Sequence, residues 1–250
     1  MHSRSTYPGR VLSLLALMLF AWSPANADTI ILDNFNDNWL NGQLWTPNIQ
    51  GRGSVSESNS RLELTVLGSS GTESLAGVTF LGTIAGDFNF QIGYTLLSPF
   101  PEDDSEPVVG IVLPQFDDLV FVLRGADSTG SFYGADVGVG EPSTPTSDAS
   151  GRLRLTRFGS NWSASYWSGS GWQLIASDNS RGEEPITSLV LVAYLGGPGA
   201  ISVALDDFYL RGERVAPVPE PASLLLFGTG LVGLRVWRKR RDRLPGRTAR

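Results

Sequence analysis

The 250-residue chain has no cysteine, one histidine (His2) and one lysine (Lys239). Both single residues lie in terminal segments that read as targeting signals, so the stretch between them lacks all three types. Ser-His-Asp and Cys-His nucleophile systems are thereby excluded from that stretch, as are tetrahedral His/Cys zinc sites and Schiff-base chemistry. No disulfide can staple the fold, but a core built from about 190 residues needs none. Charged residues make up only 18% against 41% hydrophobic, which is too apolar for a disordered chain. The 29 glycines and 15 prolines favour strands and turns over long helices. Long apolar runs occur only near the two ends.

Residues 1–27 read as a secretory signal peptide. Arg4 and Arg10 give a basic start, and Val11 to Trp22 form an apolar run too short to span a bilayer comfortably. Ala25-Asn26-Ala27 is a small-x-small site, placing cleavage between Ala27 and Asp28. Signal peptidase and the Sec machinery are the partners this implies.

At the other end, Val218-Pro219-Glu220-Pro221 precedes the apolar run Ala222 to Leu234, and Arg238, Lys239, Arg240 and Arg241 follow. The prolines Pro219 and Pro221 forbid a helix across them, so a helix starts just after. Thirteen residues at a helical rise cover roughly 20 Å, and Val236 and Trp237 extend the expected transmembrane helix to 222–237. The basic cluster should stay cytoplasmic, with the preceding domain on the far side. This three-part end resembles the PEP-CTERM sorting signal of bacterial exported proteins. The resemblance implies recognition by an exosortase and cleavage near Pro219, Glu220 and Pro221. It further implies a transient inner-membrane anchor, then release or attachment at the cell surface. Within the same run, Gly228 to Gly233 fits GxGxxG, but no strand precedes it, so a dinucleotide site is not expected.

Between residues 28 and 219, nine arginines stand against 23 acids, a formal charge of −14 compared with −6 for the whole chain. Such a domain repels nucleic acid and anionic membranes and attracts cations.

No segment from 28 to 214 carries a helical period. Short alternating or apolar runs recur instead, at Leu62–Leu67, Phe88–Leu97, Val108–Leu113, Leu119–Leu123, Leu153–Phe158, Trp162–Trp167, Trp172–Ala176, Thr187–Leu195 and Ile201–Leu210. Many short strands with turn signals mean a sandwich or barrel. In 153–176 the period is clearest: Leu153 and Leu155 oppose Arg152 and Arg154, and Trp162, Ala164 and Tyr166 oppose Ser163, Ser165 and Trp167. The segment order resembles the concanavalin A-like lectin/glucanase jelly roll, in its LamG-type or DUF1349-type form. It starts at Ile31-Leu32-Asp33-Asn34-Phe35, runs through the 152–177 meander and ends at Val203 to Leu210. The resemblance implies an all-β, two-sheet antiparallel sandwich with first and last strands adjacent. It leaves activity open, since the fold hosts lectins, hydrolases and inert modules.

The expected organisation is therefore a signal peptide at 1–27, a β-sandwich at 28–214 and a sorting signal at 215–250. Glycosidase chemistry needs two facing acids, but no Glu-x-Asp-x-x-Glu-like spacing is present, and Glu102 to Glu106 reads as a solvated loop. No enzyme is expected, with a carboxylate-only glycosidase as the remaining enzymatic reading. Calcium is the candidate cofactor. Asp33 and Asp37 flank the first strand and Asp206 and Asp207 sit in the last, where they either converge on an ion or cap turns. Tyr166, Trp167 and Trp172 around a Gly-Ser-Gly turn are the glycan-binding candidates, or else core and edge residues. The expected role is a structural or adhesive surface or matrix protein associated with exopolysaccharide. The alternative is a calcium-assisted, carbohydrate-binding lectin-like protein, and the second alternative a glycan-active hydrolase or lyase.

Overall fold

The computed structural model describes residues 29–101, 105–114, 119–138 and 140–217, with side chains as far as Glu213. The expected leader with its Ala27–Asp28 junction lies outside them. So do Pro219, Glu220, Pro221, the 222–237 segment and Arg238, Lys239, Arg240 and Arg241.

The described residues form two antiparallel sheets. One has eight strands in the order β13 (Trp172–Asp178), β12 (Asn161–Trp167), β11 (Ser150–Phe158), β6 (Gly82–Leu96), β15 (Gly199–Pro217), β4 (Arg61–Gly68) and β3 (Arg52–Ser58), with β1 (Thr29–Asp33) also on β15. The other has seven, in the order β10 (Ser143–Pro145), β9 (Gly130–Asp136), β8 (Val120–Asp127), β7 (Val108–Leu113), β14 (Val190–Leu195), β5 (Ser74–Phe80) and β2 (Trp45–Gln50). First and last strands are neighbours as expected, with Ile31 opposite Leu210 and Asp33 opposite Phe208. The last strand runs to Pro217, three residues past the anticipated domain end at 214.

Alternation decides which face each residue takes. Leu153 and Leu155 of β11, Trp162 and Ala164 of β12, and Phe90 and Ile92 of β6 are fully buried between the sheets. From the second sheet Ala76, Val78, Ile111, Val122 and Leu191 meet them. Trp45 is buried against Phe35, Phe80 and Phe208, with ring centroids 5.9, 5.6 and 4.8 Å away. Its indole N–H donates to Asp33 Oδ2 at 2.8 Å, and Phe35 N donates to Asp33 Oδ1 at 3.0 Å. Four chain segments are thereby tied at one point. Two arginines, Arg124 and Arg157, are also buried. Arg157 donates to the carbonyls of Gly86 and Glu184 and lies against the paired rings of Phe88 and Trp162, 5.0 and 5.2 Å from their centroids.

Candidate functional site

The outer face of the eight-stranded sheet is polar with aromatics set into it. Its central row is built by register: Leu174 of β13 faces Ser165 of β12, Ser165 faces Arg154 of β11, Arg154 faces Gln91 of β6, and Gln91 faces Tyr209 of β15. Trp167 and Trp172 pair across the β12–β13 hairpin, their rings edge-on at 5.5 Å. The Arg154 guanidinium lies 4.3 Å from the Trp172 ring centroid. Its Nε is buried without a hydrogen-bond acceptor, and desolvation lowers the pKa of the group. Beside this row, a depression of about 610 Å³ is lined by Leu32, Asp33, Asn34, Gln91, Arg152, Asp207 and Tyr209, among others.

Trp167 and Trp172 both belong to this outer face. Tyr166 does not, which corrects its assignment to the glycan-binding set. It alternates inward, packs on the core, and stacks on Tyr133 with centroids 4.2 Å apart and planes at 13°. Tyr133 in turn shares a hydrogen bond with Tyr94 at 2.8 Å and donates to Oδ2 of the exposed Asp148 at 2.9 Å.

The four aspartates proposed for calcium occupy three separate settings. Both oxygens of Asp33 are taken by Phe35 and Trp45. Asp37 Oδ1 accepts from Trp39 N at 3.1 Å and caps that turn. Asp207, at positive φ in a bulge of β15, accepts from Arg152 Nη2 at 2.6 Å, while Asp206 Oδ1 accepts from Asp207 N. Among the described residues no three acids are arranged to hold a metal ion. The acid that does join Asp37 is Glu57 of β3, which sequence reading passed over because it sits in a polar run. Burial, then a hydrogen bond shared with Asp37, and the charges of Asp37 and Asp33 push its carboxyl up to about 7. Both acids of the depression accept hydrogen bonds, Asp33 from Phe35 N and the Trp45 indole N–H and Asp207 from Arg152 Nη2.

The outer face of the seven-stranded sheet has the opposite character. A groove of about 390 Å³ runs along it, lined by Leu75, Val108, Val112, Pro114, Leu119, Phe121, Leu123, Val190, Val192 and Tyr194, with Asn48 as the polar exception. Its floor is one cross-strand row in which Gly77 of β5, Val192 of β14, Gly110 of β7 and Leu123 of β8 alternate small and large. A Cβ at Gly77 or Gly110 would lie 2.4 or 2.3 Å from a neighbouring carbonyl oxygen, so no side chain fits at those two positions. No carboxylate lines this groove among the described residues.

Comparison with known proteins adds two findings. A family model described as the PEP-CTERM protein-sorting motif matches residues 217–241. The chain ends in a PEP-CTERM sorting signal. The motif begins at the residue that closes β15, so sorting signal and sandwich abut. It marks the protein as an exported, exosortase-processed one sorted to the cell surface. Among solved structures, the Emp47p carbohydrate recognition domain is similar at 11% identity and a TM-score of 0.52, over 75% of this chain and 96% of that one. The CBM2 module of the evolved Dit of Lactobacillus casei BL23 phage J-1 is similar at 12% identity and a TM-score of 0.52, over 74% and 96%. A structure from work on endo-acting O-glycanases of human gut bacteria gives 9% and 0.51, over 73% and 98%. These likenesses show the fold, a concanavalin A-like two-sheet sandwich. No curated protein matches the sequence.

Proposed function

We propose that the exported sandwich is a non-catalytic adhesive module that binds exopolysaccharide at the cell surface or in the extracellular matrix. The reading rests on the outward row of the eight-stranded sheet, where Trp172 lies against Arg154 beside Gln91 and Tyr209. Sugars use such surfaces: an aromatic face takes the C–H side of a pyranose, and amide, guanidinium and hydroxyl groups beside it take the ring hydroxyls. The non-catalytic part of the proposal is supported by chemistry. Hydrolysis of a glycoside needs a proton-donating acid opposite a second carboxylate. The acids in the polar depression are engaged by donors, and the groove on the opposite sheet is apolar. Calcium does not enter this reading.

The test uses the processed protein and the purified exopolysaccharide of the producing strain. Tryptophan fluorescence should change on titration, and Trp172→Ala should weaken binding about tenfold, the size expected for losing one stacking surface and its cation partner. Arg154→Ala should weaken it comparably, and Tyr166→Phe should leave it unchanged. No fluorescence change, or equal binding by Trp172→Ala, would refute the proposal.

A further inference from the structure

A surface that holds sugar also selects which sugar. We propose that the exopolysaccharide held by the eight-stranded sheet is an acidic one, and that the Arg154 guanidinium is the seat of its carboxylate. This specificity rests on the adhesive role of that sheet and names the chemical class of its ligand.

The first support is where the acids are missing. Between residues 28 and 219 the chain carries 23 acids against nine arginines. Yet β11 (SGRLRLTRF) and β12 (NWSASYW) together contain three arginines and no Asp or Glu. β13 contributes only Asp178 at its end, where the carboxylate accepts from Ser180 N and Ser180 Oγ. Register gives Arg154 neutral neighbours on both sides, Ser165 on β12 and Gln91 on β6. With a Debye length of about 8 Å at physiological salt, charges in direct contact outweigh those spread over the rest of the domain. A chain whose net charge repels anions thus keeps one local patch that attracts them.

The second support is the contrast between two arginines of one strand. Arg152 and Arg154 both point outward from β11. Arg152 Nη2 donates to Asp207 Oδ2 at 2.6 Å, so the fold supplies a carboxylate there. Among the described residues no carboxylate forms an ion pair with Arg154. Its guanidinium is held instead 4.3 Å from the Trp172 ring centroid. Stacking fixes the group in advance, so little rotamer freedom is lost when a ligand arrives. Of its nitrogens Nε alone is sealed from solvent without an acceptor, which leaves the Nη1–Nη2 end as the accessible one. That fork matches the two oxygens of a carboxylate, whereas a neutral hydroxyl engages one N–H and leaves the charge uncompensated. Burial has already removed part of the water around this cation, and an anion replaces what was lost. Trp167, edge-on to Trp172 at 5.5 Å and partly exposed, supplies apolar surface for the sugar ring that carries the carboxylate.

The test uses the processed protein and the purified exopolysaccharide of the producing strain in two forms, native and carboxyl-reduced. Reduction keeps linkage and length and removes only the carboxylate charge. The native form should bind at least about tenfold more tightly, the worth of one charge-assisted contact. That advantage should shrink as salt is raised. Arg154→Gln should erase the difference between the two forms. Arg152→Gln should keep it, because that guanidinium is already paired within the fold. Equal binding of both forms by the unsubstituted protein would overturn the carboxylate assignment while leaving the adhesive role intact, and this comparison relies on no variant. Reduction spares sulfate and phosphate esters, so recognition of those groups would show as the same equality. A difference that survives in Arg154→Gln would take the carboxylate away from Arg154. Binding of neither form would remove the adhesive role itself, and the assignment with it.

Discussion

A carboxylic acid held beside a second one keeps its proton to higher pH than in water. Glu57 faces Asp37 in this way, with Asp33 near enough to add its charge, and its carboxyl is pushed up to about 7. An acid whose folded pKa lies above its unfolded value stabilises the fold fully below the unfolded pKa. That contribution is lost as pH rises toward the folded one. Melting temperature should therefore fall between pH 4.5 and about 7. Glu57→Gln should flatten that limb relative to the parent, and identical slopes by calorimetry would rule the pair out as its source. Arg157 makes the converse case. Its charge is buried and its pKa lowered by desolvation, yet backbone carbonyls and two rings surround it. Arg157→Met should destabilise by about 3 kcal/mol in urea titration, because the Gly86 and Glu184 carbonyls lose their donor inside the protein.

The strands differ in how plainly the sequence announces them. β11 and β12 alternate without interruption, and their inward and outward sets were legible residue by residue, including the outward course of Trp167. β5 (SLAGVTF) and β9 (GSFYGAD) were not legible, because glycines stand where the outer face has no room for a side chain or needs none. β2 carries Pro47 at a sheet edge, and β3 is a polar edge strand, so neither shows an apolar period. The stacking of Arg154 on Trp172 is a diagonal contact across β12, invisible to local pattern. The apolar groove draws on five strands scattered over the chain, so only the assembled sheet reveals it. Asp33 was legible as a residue of interest, while its job as the acceptor that joins β1 to Trp45 was not. Asp33→Ala should cost about 2 kcal/mol, through the stranded N–H groups of Phe35 and Trp45, with no dependence on added calcium. A calcium-dependent melting shift in the parent that vanishes in this variant would contradict that role.

At the scale of the whole molecule, charge is segregated. The acidic sandwich and the basic last segment lie on either side of Pro219, so processing changes the net charge of the product sharply. Replacing Arg238, Lys239, Arg240 and Arg241 by neutral residues should disturb membrane orientation and leave unprocessed protein behind. Mass spectrometry of the C-terminus in culture medium and cell envelope reads this directly, and an unchanged processed end would make the basic cluster dispensable.

The pairing of β1 with β15 also governs timing. A polypeptide threaded across a membrane from its amino end delivers Thr29 to Asp33 first and their hydrogen-bonding mates, Phe208 to Gly212, almost last. The opening strand must wait, edge unmet, until nearly the whole length has emerged. Completion of the β1–β15 pairing and presentation of the protease recognition site thus become consecutive events, five residues apart on the same ribbon. A protease acting there encounters cargo whose folding has just been able to finish.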